Sequence, residues 1–196
     1  MFEWSFFCCL FFVVTSCSIL VDHNQKVLAP MWNHNIQMLN MDELQKVKIR
    51  TAANLIKSVV TSEEFKKQIL NHTYNGQKAF KDNKGLSNLE IYTIIQEGAE
   101  TLSPEKNSTM DVEIELFHEK TTTIGYTYPH TGRVWMNTKY FDRYTPILVA
   151  DNLMHEWMHK LGFEHEFKWS RHREHSVPYA VGYLIKKLSK QHLHSK

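Results

Sequence analysis

Three histidines and one glutamate in the last quarter of the chain have the types and spacing needed to bind a metal ion. His155 and His159 are four residues apart, so on a helix they lie on the same face, about one turn from each other. Glu156 lies beside the first histidine, within reach of a water molecule on that metal. Gly162 permits a sharp turn just after the helix, which would return His165 as a third ligand. Three protein ligands leave one coordination position open, as in catalytic zinc sites.

The helix that would carry these residues is mostly apolar. Thr145 and Pro146 predict its start, as the N-cap and the first helical residue. The apolar residues that follow cover most of its circumference, which predicts a buried helix. The exceptions form one narrow polar stripe of Asn152, His155, Glu156 and His159. Buried polar groups need a partner, which could be a metal with its water or a hydrogen-bond network. We expect Lys160 to face solvent, because a tight ion pair would compete with the role of Glu156 as a base.

Residues 155–165, HEWMHKLGFEH, resemble the long zinc-binding signature of the metzincin metallopeptidases. The resemblance implies a compact α/β domain of the zincin type, with a twisted, mixed N-terminal sheet and its helices above the active-site helix. A small C-terminal part with one helix would lie below, and substrate would bind in the cleft between them. The resemblance identifies His155, His159 and His165 as ligands of one catalytic zinc ion, and Glu156 as the catalytic base.

The implied activity is that of a zinc-dependent endopeptidase. Zinc lowers the pKa of its bound water towards about 7, and Glu156 takes the proton as that water attacks the scissile carbonyl. The glutamate then passes the proton to the leaving amine, while zinc stabilises the oxyanion. Two alternatives stay open: a non-catalytic zinc-binding envelope lipoprotein, which would not need Glu156, and a metallohydrolase acting on a non-peptide amide.

Residues 176–179 depart from the metzincin pattern. Members of that family have a tight turn here, with a methionine beneath the metal and often a tyrosine near it. Pro178 occupies the place of the methionine, and Tyr179 comes one residue sooner than the family's tyrosine. A proline can form a rigid turn at this point. Tyr179 is a candidate catalytic residue that could donate a hydrogen bond to the oxyanion, or it could simply pack.

The remaining elements follow from periodicity and capping patterns. We predict helices over residues 42–60, 61–70, 87–98 and 180–193. The apolar face of the first is formed by Leu44, Val47, Ala52, Leu55, Ile56 and Val59. Strands are predicted over 111–117, 121–128 and 133–137. Metzincins have an edge strand that pairs with extended substrate, for which 125–128 and 134–137 are the candidates. An interior strand is the alternative for each. We expect His172 and His175, in the polar loop after His165, to be surface residues.

Composition limits the partners. The chain has 196 residues, enough for one domain, and a net charge of +2 from scattered basic residues, so nucleic-acid binding is not indicated. We expect a monomer that acts on a peptide or protein substrate. All three cysteines lie in the first 17 residues, so no disulfide framework holds the domain.

The N-terminal residues indicate export. Residues 1–17 are apolar and read as a signal peptide, and residues 14–17 resemble a bacterial lipobox ending at Cys17. Glu3 stands where signal peptides have a positive charge, so an ordinary cleaved signal or an uncleaved anchor is the alternative. We expect a membrane-anchored lipoprotein, lipidated at Cys17 and facing the periplasm or cell exterior, or else a secreted protein. Residues 18–40 are predicted as a tether, with a latency segment as the alternative, and residues 41–196 as the catalytic domain.

Overall fold

A computed structural model describes residues 31–194. The predicted signal peptide, the lipidation of Cys17 and the tether as far as residue 30 lie outside the described residues. The described part is a mixed α/β fold, as predicted, with one four-stranded sheet. Its elements are β1 (Asn33–Leu39), α1 (Glu43–Val60), α2 (Glu63–Leu70), α3 (Asn88–Glu97), β2 (Thr109–Phe117), β3 (Gly125–Thr127), β4 (Arg133–Asn137), α4 (Thr138–Phe141), α5 (Pro146–Lys160), a 3₁₀ turn (Arg173–His175) and α6 (Val177–His194).

The sheet has the strand order β1-β2-β4-β3. Strands β1, β2 and β4 run parallel, whereas β3 pairs antiparallel with β4. Because β3 lies at the edge and β4 in the interior, the structure selects residues 125–128 of the two edge-strand candidates. Side chains alternate as predicted in β2, where Met110, Val112 and Ile114 are buried.

Strand β1 corrects the tether prediction, because residues 33–39 are part of the sheet. Ile36 lies opposite Val112, and exposed Asn33, Asn35 and Gln37 alternate with half-buried residues. The residue before the strand, Trp32, is fully buried and meets Trp157 of α5 edge to face, with ring centroids 5.7 Å apart. The sheet therefore begins before the catalytic domain was expected to start.

The helices begin where capping residues occur. Asp42 and Gln45 form a capping box at the start of α1, Ser87 and Glu90 form one at α3, and α3 ends at a left-handed Gly98. The predicted inner face of α1 is confirmed at Ala52, Ile56 and Val59, which are buried, but Leu44 and Val47 near its start are exposed. The buried residues of the helix are Ile49, Ala52, Ala53, Ile56, Val59 and Val60.

Helix α5 lies at the centre of the molecule, packed against α1, α6, β3 and β4. Its apolar residues are buried on nearly all sides, as predicted, including Leu153, Met154, Trp157 and Met158. None of the helices in residues 31–194 is long and apolar enough to cross a membrane.

Candidate metal centre

The three predicted ligand histidines converge on one point. His155 and His159 project from the same side of α5, with ring centroids 5.2 Å apart. After the helix, Gly162 adopts a φ of 89° and its N–H donates to the carbonyl of His159, which turns the chain back as predicted. His165 then approaches so closely that its Nε2 lies 3.2 Å from Nε2 of His155. One ligand atom from each of the three histidines lies within 4.8 Å of the others, so the group is at metal-binding distance.

Each of these rings is also hydrogen bonded on its outer side to a main-chain carbonyl. His159 Nδ1 lies 2.7 Å from the carbonyl oxygen of Phe163, and His165 Nδ1 lies 3.0 Å from that of Glu166. The carbonyl of Pro178 accepts a hydrogen bond from the His155 ring. A carbonyl can only accept, so these contacts place the ring proton on the outer nitrogen. The inner nitrogens are left as lone pairs, and outer contacts of this kind orient metal-binding histidines.

The electrostatic environment keeps the three histidines neutral. Burial lowers the pKa of His155 well below its ordinary value, and neighbouring His159, His165 and Arg173 lower it further. Burial also lowers the pKa of His159 to about 4 and depresses that of His165. Neutral imidazole is the form that binds metal. Two lone pairs 3.2 Å apart repel each other, and a cation between them removes that repulsion. With metal–nitrogen bonds of about 2.0–2.1 Å, this spacing fits tetrahedral coordination.

Glu156 lies on α5 beside the histidines, on the side that faces the edge of the sheet. Its side chain is 4% exposed, and it is hydrogen bonded to Asn152, which lies beneath Gly125 of β3. Burial raises the pKa of Glu156 to about 8, although the Lys160 ammonium and the Asn152 amide act in the opposite direction. The polar stripe of α5 therefore supplies two histidines to the cluster and contacts the edge strand β3 through Asn152.

Lys160 does not face solvent as predicted. It is 4% exposed, and its Nζ donates to the carbonyls of Tyr128 and Thr131 in the β3–β4 turn. The four-carbon stem reaches from the end of α5 to that turn, where two carbonyl oxygens replace the ammonium's water. Lys160 thus fixes the β3–β4 hairpin relative to the helix that carries Glu156.

Strand β3 has only three residues, and aromatic stacking across the sheet supports it. Tyr126 stacks on Trp135 of β4, with ring centroids 5.2 Å apart and planes 14° apart. Tyr128 and Phe117 meet the same pair edge to face. Cross-strand aromatic pairs of this kind stabilise a sheet, so β3 holds its place although it is shorter than the predicted strand over 121–128.

The tight turn expected at residues 176–179 is instead the first turn of α6. Ser176 accepts the first helical hydrogen bond, from the N–H of Ala180, so Pro178 and Tyr179 are helical. The prediction of a rigid proline turn is therefore wrong. The helix begins three residues earlier than predicted because proline lacks only an N–H that has no partner in the first turn anyway.

Tyr179 lies at the metal centre. Its ring centroid is 4.4 Å from that of His155 and 4.8 Å from that of His165. The Arg173 guanidinium lies over the Tyr179 ring, with its Cζ 4.3 Å from the centroid. Sequence reasoning did not single out Arg173, because the 3₁₀ turn that carries it reads as an irregular polar loop.

The loop after His165 is fixed at its start and exposed in its middle. Glu166 pairs with Lys81 at 2.6 Å and accepts a hydrogen bond from Ser170, whereas Phe167 and Trp169 are 95% and 79% exposed. His172 and His175 belong to no metal-binding group in the described residues. Their rings instead lie 5.9 Å and 5.4 Å from that of Tyr74.

Comparison of the chain with models of protein families, with curated proteins and with solved structures found no match. The resemblance to metzincins thus rests on the residues quoted above. What the centre can do follows from its geometry: three neutral imidazoles that can share a cation, with a buried carboxylate beside them.

Proposed function

We propose that this protein is a zinc-dependent endopeptidase of the metzincin type, with zinc held by His155, His159 and His165. The observation that carries the proposal is the convergence of the three inner ring nitrogens, each oriented by a main-chain carbonyl, beside the buried Glu156. Imidazole ligands suit zinc well, and a three-histidine set leaves a position open for chemistry.

A bound zinc ion would act as a Lewis acid towards water and towards the scissile carbonyl. Glu156 has the position of a general base, because it is buried beside His155 on α5. Burial raises the pKa of its carboxyl group, which makes the ionised carboxylate a stronger proton acceptor. One of its oxygens takes the proton from the attacking water and returns it to the leaving nitrogen. Asn152 orients the carboxylate through its hydrogen bond.

The edge strand supports a peptide as substrate. Strand β3 pairs with β4 on one side only, so its other edge can accept the main chain of an extended peptide. The Asn152 side chain lies against Gly125 of β3, and Glu156 follows one helical turn later on the same side of α5. A small non-peptide amide would make no use of that edge.

Tyr179 fits the proposal as a residue that stabilises the oxyanion. Its ring contacts two of the three histidines, and its phenol group is a hydrogen-bond donor. Replacing Tyr179 with Phe removes only that donor. We expect kcat to fall about 100- to 1000-fold, the range known for loss of one oxyanion donor, while zinc affinity stays the same. An unchanged kcat would reduce Tyr179 to a packing residue.

The proposal is tested by Glu156→Gln and Glu156→Ala, with zinc content measured beside cleavage of a peptide library. We expect both variants to bind one zinc ion and to lose cleavage, because metal binding needs only the histidines. Glu164→Gln is the matched control, since it removes an exposed carboxylate from the same motif. Cleavage that survives in Glu156→Ala would exclude Glu156 as the base. A wild-type protein that binds zinc and cleaves no peptide would favour the non-catalytic zinc-binding lipoprotein.

A further inference from the structure

Arg173 places a cation at the edge of the metal centre without a matching acid. Its guanidinium contacts the Tyr179 ring, with Cζ 4.3 Å from the centroid, and the carbonyl oxygen of Phe167, 3.4 Å from one terminal nitrogen. Within residues 31–194, no carboxylate oxygen lies within 4.0 Å of the Arg173 side chain. The neighbouring Lys81, by contrast, is paired with Glu166 at 2.6 Å.

Hydrogen bonds to Ser170 and Ser176 hold the main chain of Arg173 in place. The N–H of Arg173 donates to Ser170, and its carbonyl accepts from both the N–H and the hydroxyl of Ser176. Ser176 is fully buried at the start of α6. The residue is thus fixed at the junction of the 3₁₀ turn and α6, with its side chain directed over Tyr179.

This cation lies within reach of a substrate bound at the metal. The His155 ring and the Arg173 Cζ are 4.4 Å and 4.3 Å from the same Tyr179 ring centroid, so they are at most about 9 Å apart. An extended residue spans about 3.3–3.6 Å, so this distance covers about two residues of a peptide. The charge of Arg173 is close enough to lower the pKa of both His155 and His165.

A second cation beside a three-histidine metal site is unfavourable unless an anion arrives. The planar guanidinium offers a fork of donors that matches a carboxylate. We propose that Arg173 binds a carboxylate of the substrate, so that the site prefers peptides with an acidic group within two residues of the scissile bond. This inference rests on the proposed peptidase function and names its substrate class. The carboxylate can come from an Asp or Glu side chain or from a free C-terminus.

The test measures binding rather than turnover, using the zinc-loaded Glu156→Gln protein and blocked peptides by calorimetry. Matched peptides carry Glu or Gln at each of the two positions on either side of the central bond. Another pair differs only in a free or amidated C-terminus. At one of these positions we expect the carboxylate form to bind at least about tenfold more tightly, as for a hydrogen bond between charged groups. The responding pair identifies the source of the carboxylate.

The preference should vanish when Arg173→Gln is added and persist with Arg171→Gln, which removes the same charge from an exposed position in the same loop. Arg173→Glu should instead favour a Lys peptide. Equal binding of all matched pairs to the parent protein, no binding of any peptide, or a preference that survives Arg173→Gln would each overturn the proposal. Because the matched pairs are compared on the parent protein, the proposal stays falsifiable even if an Arg173 variant fails to fold. A carboxylate preference in a protein that cleaves nothing would support Arg173 and reject the peptidase.

Discussion

Glu100 joins α5, the helix that carries His155 and His159, to strand β2. It is 4% exposed, and its Oε1 accepts hydrogen bonds from Trp157 Nε1 of α5 at 2.7 Å and from the N–H of Asp111 in β2 at 3.0 Å. Its Oε2 is buried and has no partner in residues 31–194. Burial raises the pKa of Glu100, although its hydrogen bonds act in the opposite direction. The carboxylate therefore joins α5 to the sheet while burying a charge that is only partly satisfied.

Two substitutions separate the hydrogen bonds from the charge. Glu100→Ala leaves the Trp157 and Asp111 donors buried without an acceptor, at about 1–3 kcal/mol each, so we expect a loss of about 2–6 kcal/mol in the free energy of unfolding. Glu100→Gln keeps the acceptor oxygen and removes the charge. We expect this variant to equal or exceed the wild type in stability at neutral pH.

The pH dependence gives a sharper criterion. Because the folded pKa of Glu100 is raised, its favourable contribution is fully present below the unfolded value of about 4.5 and is lost as pH rises through the folded pKa. The stability of Glu100→Gln relative to the wild type should therefore increase with pH. Urea denaturation of the metal-free proteins between about pH 4.5 and pH 8 measures this. A Gln variant that is less stable than the wild type by the same amount at every pH would refute the reasoning.

Three further predictions concern other parts of the centre and its surroundings. The His72 ring stacks on Phe80, and burial lowers its pKa from 6.5 to about 4. Wild-type stability should therefore fall between pH 6.5 and pH 4, by less than the roughly 3 kcal/mol of a fully buried ring because this ring is partly exposed. The fall should be smaller in His72→Gln under urea denaturation. Gly182→Ala would place a Cβ 2.8 Å from a carboxylate oxygen of Asp151, which should push α6 from α5 and weaken zinc binding in a competition assay with a chromophoric chelator. Removal of zinc by EDTA should lower the melting temperature, and added zinc should restore it. The reason is that zinc at 1,000 times its Kd stabilises the fold by about 4 kcal/mol. A melting temperature that does not change with zinc would count against the site.

The features predicted correctly depend on short-range signals. The ligand set follows from spacing on one helix and one turn, so His155, His159 and His165 could be brought together without knowledge of the remaining fold. Strand β4 was predicted with its observed bounds, 133–137, because the turn at residues 129–132 marks its start. The capping box at Ser87 likewise located the start of α3.

The features missed depend on contacts between distant segments. Strand β1 has only the weak alternation of an edge strand, and its partner β2 lies more than 70 residues away in sequence. Lys160 was predicted to face solvent because an ion pair with Glu156 would compete with the role of that residue. Its actual partners, the carbonyls of Tyr128 and Thr131, belong to a turn whose position relative to α5 is set by the whole sheet. Arg173 carried no local signal at all, since its importance comes only from its nearness to Tyr179 and the histidines.

Pro178 shows how the metal centre is supported without the expected methionine. A side chain beneath the metal would contribute packing, whereas here the main-chain carbonyl of Pro178 accepts a hydrogen bond from the His155 ring. Proline suits the first turn of α6, because the N–H that it lacks has no helical partner there. The adjacent Tyr179 ring then covers His155 and His165. The start of α6 therefore orients His155 through Pro178 and covers both His155 and His165 with Tyr179. The absence of the methionine is thus compatible with metal binding by the three histidines.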